Sequence, residues 1–381
     1  MKGQARTGVV AALTDRSLPP PKPIVAIPLE IVNYVIKIVL ARHRVGSPKV
    51  FRELSALSLA CHSLRHLVLR AYLRDVVIST RRQWEGHSHL AFSIENRYLP
   101  CYLEGGLSWT RTLSLPSTCI ARSNAPILMH LTRLRQLSLD FAQDGLSTQH
   151  TRLQLIVNNL TLRMPSATCD QLTALTLTSL PRIDVSMLRL VARHFPLLAD
   201  LYLSCTERLE DTWWSFEDSA SCTLHSPIPY VYADENHLAT AFSIALKPLT
   251  NLISLHLGIY LSDEDFLSAH SDECHLSCGE ENPYGCVSGI SACPYCLPTA
   301  ARTRQRELRA SILFAQNLKA LRCIGWSSLF RNSFAQSSPH TFNNANCTDR
   351  HPVRPTIDRL SSVFWLHRME DGRVRACCHT Q

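Results

Sequence analysis

Leu134-Arg135-Gln136-Leu137-Ser138-Leu139 is the stretch on which the fold turns. Its form is leucine, two residues, leucine, one residue, leucine. The form returns as Leu172, Leu175, Leu177, as Leu198, Leu201, Leu203, and as Leu252, Leu255, Leu257. Degenerate copies are Thr110, Leu113, Leu115 and Leu318, Leu321, Cys323. The inner two positions stand two residues apart, so on a strand they share one face. The first leucine fills the corner where the chain enters that strand. Such a strand cannot bury its face alone. Successive copies must therefore stack as parallel strands, each covering its neighbour.

Helical returns lie between the copies. Residues 185–195 put Leu188, Val191 and Phe195 on one face, and Pro196 stops them. Residues 239–246 form a second return, stopped by Pro248. Residues 302–315 form a third, with Leu308, Ile312 and Ala315 inward. The pattern is similar to a leucine-rich repeat, but the spacing is irregular. From Leu113 through Leu137, Leu175, Leu201 and Leu255 to Leu321 the steps are 24, 38, 26, 54 and 66 residues, against about 20–29 in ordinary repeats. The long steps hold insertions or strongly diverged repeats. The place usually held by Asn or Cys carries Ala142 after Leu139 and Leu180 after Leu177, so no regular Asn ladder is expected. Residues 361–366 and 373–377 read as a closing hairpin turned by Glu370-Asp371-Gly372.

Upstream of the repeats, residues 1–23 read as a disordered tail ending in Leu18-Pro19-Pro20-Pro21-Lys22-Pro23, an extended proline-rich run. Residues 24–80 read as three short helices and a strand. Pro28 suits a first helical position. Ile31, Val35, Ile38 and Val39 then recur at helical spacing. Ser47-Pro48 starts a second helix with Val50, Leu54, Leu57 and Cys61 on one face. A third carries Leu64, Leu67, Val68 and Ala71, and Asp75-Val76-Val77-Ile78 is the strand.

Composition narrows the function classes. With 45% hydrophobic and 18% charged residues the chain can bury a real core. No phosphate-cradling glycine loop, no G-x-S-x-G and no H-E-x-x-H occurs. No catalytic residue is named, and the expectation is a protein that is not an enzyme. The net charge of +8 is unevenly placed: residues 1–82 carry 14 basic and 4 acidic residues, residues 200–281 carry 15 acidic and 2 basic. Each block is a solvated face or a charged docking surface. The Lys/Arg residues of the head are scattered and lack a stacking aromatic motif, which argues against nucleic acid. Val9–Leu13 is too short for a secretory signal, and residues 31–41 are far short of a membrane span. Fifteen cysteines without such a signal point to reduced thiols and a cytoplasmic or nuclear location.

Residues 27–68 resemble an F-box. The residues that carry the likeness are Ile27-Pro28-Leu29-Glu30-Ile31, Val35-Ile36, and Leu54-x-x-Leu57-Ser58-Leu59-Ala60-Cys61-His62-Ser63-Leu64-Arg65. Ala60 stands where Val is usual and Leu64 where Trp is common. With the repeats behind it, the chain is similar to fungal F-box proteins that carry divergent leucine-rich repeats. The resemblance implies an α/β fold: a three-helix F-box followed by an irregular leucine-rich-repeat solenoid of parallel strands and helical returns. The domains would be a tail at 1–23, an F-box-like unit at 24–80, repeats at 81–330 with a Cys-rich insertion at 270–298, and a loop and cap at 331–381. It also implies a substrate-recognition subunit of a cullin ubiquitin ligase. The F-box would dock on a Skp1-like adaptor and the repeats would hold a target protein. Ile27, Pro28, Leu29, Ile31, Val35, Leu57, Leu59, Ala60 and Cys61 are the expected adaptor contacts. They are more apolar positions than a three-helix core can use, and a surplus of this kind marks an interface. Their other use would be packing onto the first repeat. The alternative function is a repeat scaffold outside any ligase.

The cysteines leave two readings open. Cys274-x3-Cys278 and Cys293-Pro294-Tyr295-Cys296 can supply two thiolate pairs to one structural Zn²⁺, or they are unrelated reduced thiols. Beyond that zinc, no cofactor is expected. Asp263-Glu264-Asp265 with Asp272-Glu273 reads as charge at a helix N-terminus or as a face for a basic segment. Trp213, Trp214 and Phe216 read as core packing or a binding hot spot.

Overall fold

The computed structural model describes residues 28–42, 48–98, 106–161, 172–205, 227–228, 231–262, 296–327 and 361–379. Ile27, Cys274, Cys278, Cys293, Trp213, Trp214, Phe216 and the acidic run 263–273 lie outside them.

Three helices open the described chain: α1 (Leu29–Ala41), α2 (Pro48–Ala60) and α3 (His62–Tyr72). Pro28 is the N-cap of α1 rather than its first residue. Ile36, Leu54 and Val68 form the small core between them, with Val32, Val39, Leu40, Leu57, Leu67 and Ala71 at its edge.

The remainder is built on one open, nine-stranded sheet whose strands follow chain order. The strands are β1 (Asp75–Val77), β2 (Thr112–Pro116), β3 (Gln136–Asp140), β4 (Ala174–Leu180), β5 (Asp200–Cys205), β6 (Ser254–Gly258), β7 (Cys323–Ser327), β8 (Ser361–Arg368) and β9 (Val374–His379). β1 to β7 run parallel. The β8–β9 hairpin closes the sheet antiparallel, and its turn places Gly372 at φ 78. Among the described residues five α-helices belong to this part: α4 (Arg81–Tyr98), α5 (Leu146–Thr161), α6 (Val185–His194), α7 (Glu235–Leu246) and α8 (Cys296–Asn317).

The hexads explain the register. Val76, Leu113, Leu137, Leu175, Leu201, Leu255 and Ile324 are cross-strand partners in one row. Leu115, Leu139, Leu177, Leu203, Leu257 and Trp326 form the next. Both rows are buried in one continuous core with apolar residues of α5, α6, α7 and α8. Slipping one strand by a residue would turn both its leucines outward, so the burial itself holds the register.

Two features of the hexads differ from expectation. Leu73-x-x-Val76-x-Ile78 is an additional copy, so the strand at the end of the helical head is the first strand of the sheet. The last copy is Leu321, Ile324, Trp326, not Leu318, Leu321, Cys323. The reason is a wider template. An apolar residue three places before the first position accepts a turn hydrogen bond from that position's N–H. It is Leu107, Leu131, Phe195, Leu249 and Leu318 in turn, with N···O distances of 3.1–3.3 Å. Leu318 therefore imitates a first position one period early. Cys323 instead begins the strand on the opposite sheet face.

The returns also depart in detail. α7 begins four residues before the expected 239, where the Asp234 carboxylate accepts hydrogen bonds from the N–H groups of Asn236 and His237. The inward face of α8 is Thr303, Glu307, Ala310, Ser311, Phe314 and Ala315, whereas Leu308 and Ile312 are half-buried. Polar side chains on this stripe have partners. The Glu307 carboxylate accepts from Ser362 Oγ at 2.6 Å and pairs with Arg304 at 3.3 Å, tying α8 to β8.

Close strand approach makes Gly258 obligatory. A Cβ there would lie 2.5 Å from Ser204 Cα and 2.8 Å from the Leu203 carbonyl oxygen, both backbone atoms of β5. We expect Gly258→Ala to destabilise the fold by about 1–3 kcal/mol through overpacking. Leu201→Ala, which leaves a cavity in the leucine row, is expected to cost about 2–5 kcal/mol. Urea unfolding of each variant checks both values.

His87 of α4 stacks with the fully buried Trp84 at a centroid distance of 6.2 Å. Burial pushes its pKa down from 6.5 to about 4. The native state thus resists a proton that the unfolded chain accepts. Stability from this group is complete above pH 6.5 and is lost as the pH falls toward 4, by roughly 3 kcal/mol at one proton's slope. Unfolding of wild type and His87→Phe across pH 7.5 to 4 should show the acid-side loss shrinking in the variant.

Candidate interaction surfaces

α1 carries two apolar faces. Val32, Ile36, Val39 and Leu40 turn inward to the three-helix core. Ile31, Tyr34, Val35 and Ile38 lie at i, i+3, i+4 and i+7, roughly 135° around the helix at 3.6 residues per turn. They are 53%, 64%, 48% and 38% exposed. Leu29 in the first turn is 54% exposed although it lies in line with the inward stripe, and Leu59 at the end of α2 is 71% exposed. No other described helix leaves as many large hydrophobic side chains in solvent.

The expected contact residues fall out as follows. Pro28, Leu29, Ile31, Val35, Leu59, Ala60 and Cys61 are exposed, and Leu57 is half-buried at the edge of the head's core. Cys61 is the extended N-cap residue of α3, at the α2–α3 corner beside Leu59 and Ala60. Tyr34 and Ile38 complete the patch. Ile38 stands in the apolar spacing with Ile31 and Val35, and Tyr34 shares that stripe. Its i+3 relation to Ile31 was the available signal. The head meets the sheet through other residues. Leu73 and Trp109 are buried together with Leu69 and Tyr72 against them, and the His66 ring meets Trp109 edge-on at 5.0 Å. Leu29, 54% exposed, is thus not spent on packing against the sheet.

The sheet face opposite the leucine rows is the second surface. Its central row runs Val77, Ser114, Ser138, Thr176, Tyr202, His256, Gly325. From β2 to β4 the side chains are small, polar and half-exposed. At β5 and β6 the row changes character. The Tyr202 and His256 rings stack at 4.3 Å and 7°. Gly325 leaves the room that the His256 ring occupies; a Cβ there would overlap Nδ1. β6 is buried along its whole length on both faces. This aromatic pair was not anticipated, because hexad patterns assign the intervening residues to a face without saying which of them meet.

Thiol chemistry differs among the described cysteines. Cys61 and Cys377 are exposed, while Cys119, Cys205 and Cys323 are buried. Burial pushes the Cys205 thiol up to about 12, which keeps it protonated and unreactive. Of the four residues expected to hold zinc, only Cys296 falls among the described residues, at the start of α8. Among the described residues no group of His, Cys, Asp or Glu is arranged to hold a metal. No described helix is long and apolar enough to cross a membrane.

Comparison with protein-family models gives no match, and comparison with curated proteins gives none.

The two faces of α1 should separate cleanly in stability. Ile36→Ala removes a fully buried side chain and is expected to cost about 2–5 kcal/mol. Val35→Lys on the outer face should stay within about 0.5 kcal/mol of wild type. Thermal and urea unfolding of the two variants test the assignment of faces.

Proposed function

We propose that this chain is a substrate receptor of the F-box type, in which the three-helix head docks on a Skp1-like adaptor and the sheet presents the target-binding face. The reading takes the hexad strands as divergent leucine-rich repeats. It assigns the chain no chemistry of its own, ubiquitin transfer belonging to other subunits of the cullin ligase.

One observation carries this reading. The residues that resemble an F-box and the residues left exposed and apolar on α1 and at the α2–α3 corner are largely the same residues: Leu29, Ile31, Val35, Leu59, Ala60 and Cys61. An apolar face of that kind is unfavourable in water, by up to about 1.5–3 kcal/mol per large side chain relative to full burial. A protein partner removes that cost by covering it. The sheet supports the second half of the reading. It offers an open face of small polar side chains that a target segment can cross, with the Tyr202–His256 stack as a rigid feature at one end.

Co-expression with a Skp1-like adaptor tests the assignment. Wild type should co-purify with it, and Pro28→Ala/Leu29→Ala should lose at least 90% of the bound adaptor with an unchanged melting temperature. Absence of binding by wild type would leave a repeat scaffold outside any ligase.

A further inference from the structure

Four arginines meet at the junction between α3 and the first strands. Arg74, Arg111 and Arg135 each stand immediately before a strand, at the second position of successive hexads. Their backbones are pinned in that order. The Arg74 carbonyl accepts from the N–H groups of Arg111 and Thr112, and the Arg111 carbonyl from those of Arg135 and Gln136, at 2.8–3.1 Å. Parallel strands stand about 4.8 Å apart, so the three side chains begin at that spacing. Arg70, one turn earlier at the end of α3, adds the fourth charge.

Among the described residues the row is poorly neutralised. Among the described residues one carboxylate pairs with the four, that of Asp75 at 4.0 Å from Arg74 Nε, and both partners are largely exposed. Arg111 is half-buried and donates from one guanidinium nitrogen to the Arg133 carbonyl at 2.9 Å, which orients its side chain. Its pKa is held below the usual value, first by burial and then by Arg135, Arg70 and Arg74, so the cations do feel one another. Like charges gathered at this spacing cost stability that an anion would return. The next residues of the row, Thr173, Ala199 and Ile253, carry no charge, so the basic patch ends after three strands.

We propose that Arg70, Arg74, Arg111 and Arg135 form the seat for an acidic, Asp/Glu-rich segment of a target protein. An extended peptide places side-chain charges along a line, as the row does, and arginine forks pair well with carboxylates. The beginnings of β2 and β3 beside the row offer Thr112 and Gln136, polar side chains that an extended segment can cross. Nucleic acid is the weaker fit, because among the described residues no exposed aromatic side chain stands in or beside the row to stack on bases. The inference rests on the sheet being the target-binding part of the receptor proposed above.

Fluorescence anisotropy with a fluorescein-labelled octaglutamate peptide tests it on the full chain. Octaglutamate should bind, a Gly-Ser octapeptide should not, and binding should weaken at least tenfold between 50 and 300 mM NaCl. Arg111→Ala/Arg135→Ala should weaken octaglutamate binding at least tenfold without lowering the melting temperature. Arg189→Ala/Arg193→Ala on α6 removes the same charge elsewhere on the surface and should leave it within twofold. Equal effects of the two double variants, or no preference for octaglutamate over the neutral peptide, would overturn the proposal. So would tighter, Arg111-dependent binding of a 20-nucleotide single strand. Adaptor co-purification should be unaffected by the Arg111 and Arg135 changes. Loss of the adaptor with them would move the row to the adaptor interface and overturn its assignment to the target.

Discussion

The leucine rows are the constraint on which the structure depends. Each strand of the parallel stack brings two inward side chains and a corner residue, far too little to stand alone. Aligned in register, the same residues form a continuous core from Val76 to Leu366. That burial, at about 25 cal/mol per Å² of apolar surface, is what opposes the entropy of ordering the chain. It also dictates the arrangement. Strands must follow chain order, helices must cover the leucine side, and the other sheet face stays open along β2 to β4.

The two surfaces follow from this by opposite routes. The sheet's open face exists because the intervening hexad positions must point away from the core. Its character is set residue by residue: small and polar in the middle strands, aromatic at Tyr202 and His256, cationic just before β1, β2 and β3. The head's surface exists because three short helices enclose too little volume. Ile36, Leu54 and Val68 fill the space available, and Ile31, Val35 and Ile38 remain outside. An apolar face suits a lasting, water-excluding contact, whereas a row of arginines gives a contact tuned by ionic strength. The receptor proposed above would use the first for its adaptor and the second for its target.

Much of this was legible because the informative residues repeat. A hexad seen six times specifies strand direction, facing and neighbour relations together. Where copies are weakened, the reading slipped. Leu318 misled because the turn residue three places upstream is also apolar and buried, so two phases fitted equally well. β1 was assigned to the helical head because Leu73 already lies beyond the last turn of α3. α4 and α5 went unread, although Leu153, Ile156 and Leu160 of α5 recur at helical spacing. In α8 the apolar periodicity of Leu308, Ile312 and Ala315 marked one edge of the inward face, where Ala315 is buried and Leu308 packs against the core half-exposed. Glu307 and Ser311 are inward there with partners on β7 and β8: Ser362 donates to the Glu307 carboxylate, and the Trp326 indole N–H donates to Ser311 Oγ.

By itself the sequence determined which residues pair across the sheet, that its strands run parallel, and which helical segment carries surplus apolar side chains. Those properties depend on spacing along the chain, and spacing is written there. Tertiary structure alone decided which face of α1 is left in solvent and that Tyr202 stacks on His256. It also decided that Arg70, Arg74, Arg111 and Arg135 converge. Arg74, Arg111 and Arg135 are 24 to 61 residues apart in sequence, and only the step of about 4.8 Å between stacked strands brings their charges close enough to act on one another.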